Sequence, residues 1–117
     1  MIVGVPTEIK PDERRVGLTP ASANELTNHG HDVIVQSGAG LGIGAQDSDY
    51  EAVGAKIAAA AAEVFGAAEM IVKVKEPQAV ERAMLTPGHL LFTYLHLAPD
   101  GQQADDLVAS GATCIAY

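Results

Sequence analysis

Residues 2–37, IVGVPTEIKPDERRVGLTPASANELTNHGHDVIVQS, contain the pattern that decides the fold. The apolar run IVGVP is followed by a polar stretch and then by a helix signature: Thr19 as the cap, Pro20 at the first helical position and Gly30 after the end. DVIVQS then supplies the β-branched residues that are typical of a second strand. A strand, a helix and another strand in this order predict two parallel strands joined by a helical crossover.

The same alternation continues to the last residue. Ser48 and Glu51 predict a capping box for a short helix, and a short strand follows at residues 56–58. Apolar residues at helical spacing indicate three later helices: Ala61, Val64, Phe65 and Ala68; Val80, Ala83 and Met84; and Ala104, Leu107 and Val108. MIVKV, HLLFTYL and TCIAY read as the strands between and after them. We predict one α/β domain over residues 1–117, a doubly wound, mainly parallel Rossmann-like or flavodoxin-like sheet with helices on both faces.

Composition limits the function classes. The 7 Lys and Arg against 15 Asp and Glu give a formal net charge of −8, which argues against a nucleic-acid or anionic-membrane partner. The apolar runs are too short for a membrane span, and MIVGVP is too short for a signal sequence, so we expect a cytoplasmic protein without membrane contact. Any bound anion must then be held by a few local positive groups.

Cysteine and histidine usage gives no metal site. Cys114 is the single cysteine, so no internal disulfide is possible, and its apolar surroundings favour a buried small side chain. His29, His31 and His89 lie at the amino ends of predicted strands and are interpreted as surface residues. No set of His, Asp and Glu has metal-ligand spacing, and we predict no metal.

A glycine-rich run, GAGLGIGA, spans residues 38–45. Gly40, Gly42 and Ala45 match the G-x-G-x-x-A spacing of dinucleotide-binding turns. The predicted helix does not follow directly, however, and no strand ending in Asp or Glu appears about 20 residues later. We therefore predict no cofactor site here and expect a flexible loop that closely approaches another segment or subunit.

Three polar side chains stand where the apolar pattern breaks after strands: Arg15, Lys75 and His96. The carboxyl ends of parallel strands face a crevice, so these groups can converge on one ligand. A guanidinium can hold a carboxylate with two parallel hydrogen bonds, a lysine can polarise a carbonyl oxygen, and an imidazole can move a proton near neutral pH. The set predicts a small anion that carries a carbonyl or an amine.

Each of these residues also has a structural interpretation. Arg15 can be a solvated charge paired with Asp12 or Glu13, and Lys75 can extend to solvent beside Glu76. Lys73 lies two residues before Lys75 and would face the same crevice. A lone histidine such as His96 is more often structural than catalytic. Residue types alone leave these alternatives open.

The longer motifs resemble a known family. MIVGVPTEIKPDERRVGLTPASANEL resembles the opening of the alanine dehydrogenase and pyridine nucleotide transhydrogenase family. KVKEP and LLFTYLHLAPD are similar to the alanine dehydrogenase branch, and the resemblance covers essentially all 117 residues. The motifs occur in the family's order, which is more specific than any one of them.

The resemblance implies an NAD-dependent enzyme that converts L-alanine to pyruvate and ammonium, reversibly. It implies that this domain holds the substrate and that NAD is bound by a following domain absent from this chain. Arg15 would hold the substrate carboxylate, Lys75 would contact the carboxylate and the oxygen at the reacting carbon, and His96 would serve as acid and base. The roles of Lys75 and His96 could partly exchange.

The chain stops at TCIAY, an unusual end for a complete protein, and we expect a truncated chain or excised domain. The resemblance then implies that this chain alone is inactive. Apolar surface that a missing domain would cover favours self-association. The alternatives are the alpha subunit of a proton-translocating transhydrogenase and a non-catalytic α/β module.

Overall fold

The computed structural model describes residues 1–117 and contains one six-stranded sheet. The strands are β1 (Ile2–Val5), β2 (Asp32–Gln36), β3 (Lys56–Ala58), β4 (Met70–Val72), β5 (Leu90–Thr93) and β6 (Thr113–Ala116). The helices are α1 (Pro20–Asn28), α2 (Asp47–Glu51), α3 (Ala61–Ala67), α4 (Ala79–Arg82) and α5 (Gly101–Ser110), with a 3₁₀ turn at Leu41–Ile43.

All neighbouring strands pair in parallel, in the order β3-β2-β1-β4-β5-β6. The predicted doubly wound α/β fold is therefore confirmed, and the strand order is the Rossmann order. The chain proceeds outward from β1 to β3 and then returns to β4 on the other side of β1. In open α/β sheets, ligands bind at the carboxyl ends of the strands where this reversal occurs. The reversal lies between β1 and β4.

Helix α1 forms as the sequence predicts. The Thr19 hydroxyl accepts a hydrogen bond from the Ser22 N–H at 3.2 Å, Pro20 opens the helix, and Gly30 follows it with φ of 85°. Together with α2, it covers β1 and β2 on one face of the sheet. The buried ring of Tyr50 completes this cluster and donates its hydroxyl to the carbonyl of Leu18 at 2.7 Å.

The opposite face of the sheet is covered by α3, α4 and α5. Val64 and Phe65 of α3 are buried there with Ile71, Leu91 and Leu107. Helix α3 lies so close to β1 that a Cβ on Gly4 would be 2.6 Å from the Ala68 Cβ. The faces differ in one respect: no helix covers β4, β5 and β6 on the α1 side.

Three local predictions are wrong. The capping box of α2 is formed by Gln46 and Asp49, two residues before the predicted Ser48–Glu51 pair. Helix α4 has only four residues, and its predicted apolar face is exposed at Val80 and Ala83. Val108 of α5 is also 83% exposed. In α4 and α5 the buried positions are instead taken by polar side chains, Glu81 and Gln103, beside Leu107.

His89 is not the predicted surface residue. It is 6% exposed, its Nε2 is 2.7 Å from the Phe65 carbonyl oxygen, and its Nδ1 accepts the Thr86 N–H at 3.0 Å. Nε2 therefore ties the start of β5 to α3, and Nδ1 ties it to the loop that follows α4. Cys114 is half-buried rather than buried, and burial raises the pKa of its thiol. None of the helices has the length and apolar character needed to cross a membrane.

Candidate active site

Arg15, Lys75 and His96 follow three adjacent strands at the same edge of the sheet. Arg15 lies in the loop after β1, Lys75 lies three residues beyond Val72 at the end of β4, and His96 lies three residues beyond Thr93 at the end of β5. Because β4 lies between β1 and β5, the three residues border the point where the strand order reverses. This edge also carries five of the chain's 7 basic residues: Lys10, Arg14, Arg15, Lys73 and Lys75.

The Arg15 guanidinium is paired with Glu13. Its Nη2 and Nε donate to the two oxygens of the Glu13 carboxylate at 2.6 and 3.0 Å. The hydrogen bonds from Arg15 outweigh partial burial and, with the nearby charge of Lys75, lower the pKa of Glu13 to about 2. The pairing foreseen as the structural alternative is therefore present.

This pairing leaves part of the guanidinium open. A guanidinium has five N–H donors, and Glu13 uses the Nε donor and one Nη2 donor. Both Nη1 donors and the second Nη2 donor remain, and the Arg15 side chain is 60% exposed. The remaining edge can still bind a carboxylate with two parallel hydrogen bonds. Glu13 thus orients the guanidinium without using the donors that a ligand needs.

Lys75 forms no ion pair within 4.0 Å. Its predicted alternative partner, Glu76, pairs with Lys10 instead. The ammonium lies near enough to Glu13 that its charge contributes to the lowered pKa of that carboxyl. A charge that is partly buried, unpaired and close to the Arg15–Glu13 pair is well placed to contact an anion that Arg15 binds.

The two-residue spacing predicts that Lys73 faces the crevice beside Lys75, and this prediction is wrong. Its side chain is 1% exposed, and its Nζ lies 3.1 Å from Glu8 and 2.9 Å from Glu81. Lys73 and Glu81 form an ion pair, but the angles at this contact do not allow a hydrogen bond. The backbone turns after β4, so residues 73 and 75 do not continue the strand alternation. Lys73 therefore belongs to a buried ion cluster.

His96 is exposed and has φ of 50°, the left-handed backbone region. The carbonyl of the preceding Leu95 accepts a hydrogen bond from the buried Gln103 amide at 2.8 Å, which fixes the turn from β5 to α5. Burial raises the pKa of Glu76, but the hydrogen bond from Lys10 and the nearby charge of His96 outweigh burial and lower this pKa below its ordinary value. The imidazole therefore lies at the charged edge and not in the core.

The sequence analysis assigned no role in the site to two further residues at this edge. Glu13 holds Arg15, and a carboxylate two residues before an arginine is a recognisable signal that was taken only as a sign of solvation. Tyr94 is half exposed, and it adds to the rise in the pKa of Arg15 that Glu13 mainly causes. Its ring packs edge-on against Tyr117, with centroids 4.6 Å apart. An aromatic residue between the apolar strand and His96 was the available signal.

The glycine run forms part of the wall of the site. A Cβ on Gly42 would lie 2.0 Å from the carbonyl oxygen of Arg14, so this loop packs directly on the segment that carries Arg15. The predicted close approach is confirmed. Because Gly42 is covered in this way and the run itself contains the 3₁₀ turn in place of the start of an α-helix, the residues do not fit a dinucleotide pyrophosphate. No cluster of His, Cys, Asp and Glu side chains could hold a metal ion.

The chain is similar to known proteins over its whole length. Residues 4–117 match the family model described as "Alanine dehydrogenase/PNT, N-terminal domain". The chain is similar to the alanine dehydrogenase of Halomonas elongata, with 56% identity over 117 residues, and to that of Mycolicibacterium smegmatis, with 51%. Each of these alignments includes 100% of this chain and 32% of the relative. The chain thus spans about a third of the curated relatives it matches.

Solved structures give the same grouping. An L-alanine dehydrogenase aligns with a TM-score of 0.96 at 44% identity, over 100% of this chain and 32% of that one. A transhydrogenase from Sinorhizobium meliloti aligns with a TM-score of 0.92 at 31% identity, over 99% of this chain and 34% of that one. The alanine dehydrogenases are thus more similar in sequence. The chain belongs to the alanine dehydrogenase/PNT N-terminal domain family.

Proposed function

We propose that this chain is the substrate-binding domain of an NAD-dependent L-alanine dehydrogenase. The enzyme would catalyse the reversible oxidative deamination of L-alanine to pyruvate and ammonium. The observation that carries the proposal is that Arg15, Lys75 and His96 follow three adjacent strands at the sheet edge where the strand order reverses. The higher identity to alanine dehydrogenases than to the transhydrogenase favours this function over the transhydrogenase alternative.

Each side chain has a role that its surroundings support. The open edge of the Arg15 guanidinium would bind the substrate carboxylate, while Glu13 holds the other edge. The unpaired Lys75 ammonium would contact that carboxylate and the oxygen at the reacting carbon. The exposed imidazole of His96 would give and take the proton as water adds to or leaves that carbon.

NAD, when bound, supplies the hydride acceptor. The glycine run does not fit it, so we propose that residues outside this chain bind NAD in the complete enzyme. We expect no alanine-dependent NADH formation by this chain alone, and absorbance at the NADH band checks this directly. Turnover by the purified chain would contradict the assignment of NAD binding to another domain.

We also propose that the complete enzyme acts in the cytoplasm, and cell fractionation tests this location.

Pyruvate titration by NMR tests the substrate half of the proposal. An exposed half-site should bind weakly, on the order of millimolar. We expect saturable shifts near Arg15, Lys75 and His96, which should be lost in Arg15→Ala and reduced in His96→Ala. Arg14→Ala is the matched control, because Arg14 carries the same charge on the same loop but forms no ion pair. Equal losses in the two arginine variants would mean nonspecific anion attraction.

We also propose self-association. An apolar groove of about 310 Å³ extends from α1 across β1, β4 and β5, and it is lined by Val3, Leu18, Leu26, Met70, Val72, Phe92, Tyr117 and neighbouring residues. Exposed apolar surface of this kind favours contact with a second chain. Light scattering should give a mass above that of one 12.1 kDa chain. A strictly monomeric mass at all concentrations would contradict this part.

A further inference from the structure

The peptide groups of Lys75 are held only by buried side chains. The Lys75 N–H donates to Glu8 Oε1 at 2.9 Å, and the Lys75 carbonyl accepts from the Thr93 hydroxyl at 2.9 Å. Neither group bonds to another backbone group, since β4 ends at Val72. Backbone beyond a strand end is usually free to move unless it finds other partners. Here both of its polar groups are fixed.

The Glu8 carboxylate is itself fixed. Its Oε2 accepts the Val74 N–H at 3.2 Å and a hydrogen bond from Lys73 Nζ at 3.1 Å. The side chains of Glu8 and Lys73 are each 1% exposed, and Lys73 also lies 2.9 Å from Glu81 of α4. Three donors converge on a carboxylate that water does not reach. This carboxylate can therefore hold Lys75 in one position.

Stability alone does not explain this arrangement. Burying a lysine between two carboxylates has a desolvation cost that often cancels the gain from their attraction, and apolar replacements are frequently as stable. A buried carboxylate that binds the Lys75 N–H does something that an apolar group could not do. The net stability of the buried ion pair therefore does not explain why Glu8 contacts Lys75.

The contacts also connect three segments. Glu8 belongs to the loop that carries Arg15, and Thr93 is the last residue of β5, three residues before His96. Both contact Lys75, which lies between them in the sheet order. The relative positions of the three segments are thus set at the backbone of one residue, Lys75.

We propose that Glu8 and Thr93 are positioning residues that hold Lys75 for ligand binding, with Lys73 as the counter-charge that keeps the Glu8 carboxylate in place. The inference rests on the proposed role of Lys75 in pyruvate binding. Neither Glu8 nor Thr93 needs to touch the ligand, because both act through the backbone of Lys75.

A matched pair of variants at Thr93 tests the proposal. Thr93→Val keeps the shape of the buried side chain and removes the hydroxyl, whereas Thr93→Ser keeps the hydroxyl and removes a methyl group. Thermal unfolding establishes that both variants fold. Pyruvate affinity is measured by NMR titration, and the mobility of Lys75 by amide hydrogen exchange and side-chain relaxation.

We expect Thr93→Val to weaken pyruvate binding by about threefold to tenfold and to increase the mobility of Lys75, because the net worth of one hydrogen bond is of that size. Thr93→Ser should bind within about twofold of the original chain, even where it unfolds at a lower temperature. A purely structural role would make affinity follow the unfolding temperature. Equal affinity or unchanged Lys75 mobility in Thr93→Val would overturn the proposal.

Failure of the proposed function remains distinguishable. If the folded original chain gives no pyruvate shifts, the substrate assignment fails for this chain, and Lys75 mobility alone decides the positioning claim. Increased mobility in Thr93→Val with normal mobility in Thr93→Ser would then support it. Glu8→Gln gives a second measurement, because an amide matches the carboxylate in size but cannot accept from all three donors. Unchanged Lys75 amide exchange in this variant would also overturn the claim.

Discussion

The loop after β1 contributes to two charged clusters that differ in their exposure to solvent. In the Glu13–Arg15 pair the Arg15 side chain is 60% exposed and the Glu13 side chain 5%, whereas Glu8, Lys73 and Glu81 form a cluster in which no side chain is more than 2% exposed. Exposed pairs contribute little to stability and can exchange partners, while buried charges tolerate no loss of a partner. The comparison separates a group that is available to a ligand from groups that hold it in place.

We expect the largest effect when the buried cation, Lys73, is removed. Lys73→Met leaves Glu8 and Glu81 without a counter-charge, and we expect a loss of about 3–5 kcal/mol in the free energy of unfolding. Such a loss is a large part of the stability of a small domain. Urea unfolding at neutral pH measures it. The control is Lys10→Met, which breaks a partly buried pair with Glu76, whose side chains are 33% and 11% exposed, and should cost less, about 1–2 kcal/mol. Similar losses in the two variants would remove the distinction.

A change in the glycine loop should disturb the exposed pair alone. In Gly42→Ala, the new methyl group would lie 2.0 Å from the Arg14 carbonyl oxygen, so the loop must move. We expect a loss of about 1–3 kcal/mol and weaker pyruvate binding, because the Arg15 segment shifts with it. Gly66→Ala is the control, since a Cβ there meets nothing within 4 Å and should stabilise α3 by about 0.5–1 kcal/mol. A neutral effect at Gly42 would show that the loop yields freely.

The Arg15–Glu13 pair gives a pH prediction. The folded-state pKa of Glu13 is about 2, below its ordinary value of 4.5, so the pair contributes stability above pH 4.5 that is lost as the pH falls through 2. In Arg15→Ala the pKa of Glu13 should return toward 4.5, because the hydrogen bonds from Arg15 that lower it are lost. A carbon-13 NMR titration of the Glu13 carboxyl measures the midpoint. A midpoint that stays near 2 would mean that Arg15 is not its main cause.

Much of the fold follows from local signals that act alone. The Thr19 cap with Pro20, the β-branched strands and the breaks at Gly30 and Gly111 predict the element order, because each needs only its own neighbours along the chain. The positions of Arg15, Lys75 and His96 after strands were predictable for the same reason. Their assignment to a function needed the longer motifs.

Other features depend on contacts between distant segments. Lys73 was expected at the crevice, but its partner Glu8 is 65 residues earlier in the chain. His89 was expected at the surface, but its ring is satisfied by the carbonyl of Phe65, 24 residues away. A polar residue in an apolar pattern signals either exposure or a buried partner. Residue spacing does not distinguish exposure from a buried partner, because the order of the strands in the sheet determines which distant residues come into contact.

The smallest expected effect concerns the backbone of His96, which joins the exposed site to the fixed strand end. At φ of 50°, a Cβ is unfavourable and glycine is not, so His96→Gly should be more stable than His96→Ala by about 0.5–1 kcal/mol. The same pair of changes at Leu97, which has ordinary φ, should favour alanine or show no difference. Urea unfolding of the four variants measures both differences. Alanine favoured at both positions would indicate that the turn after β5 relaxes. Glycine favoured only at His96 would mean that the fold holds this residue in a costly conformation, as expected where the position of its imidazole matters more than stability.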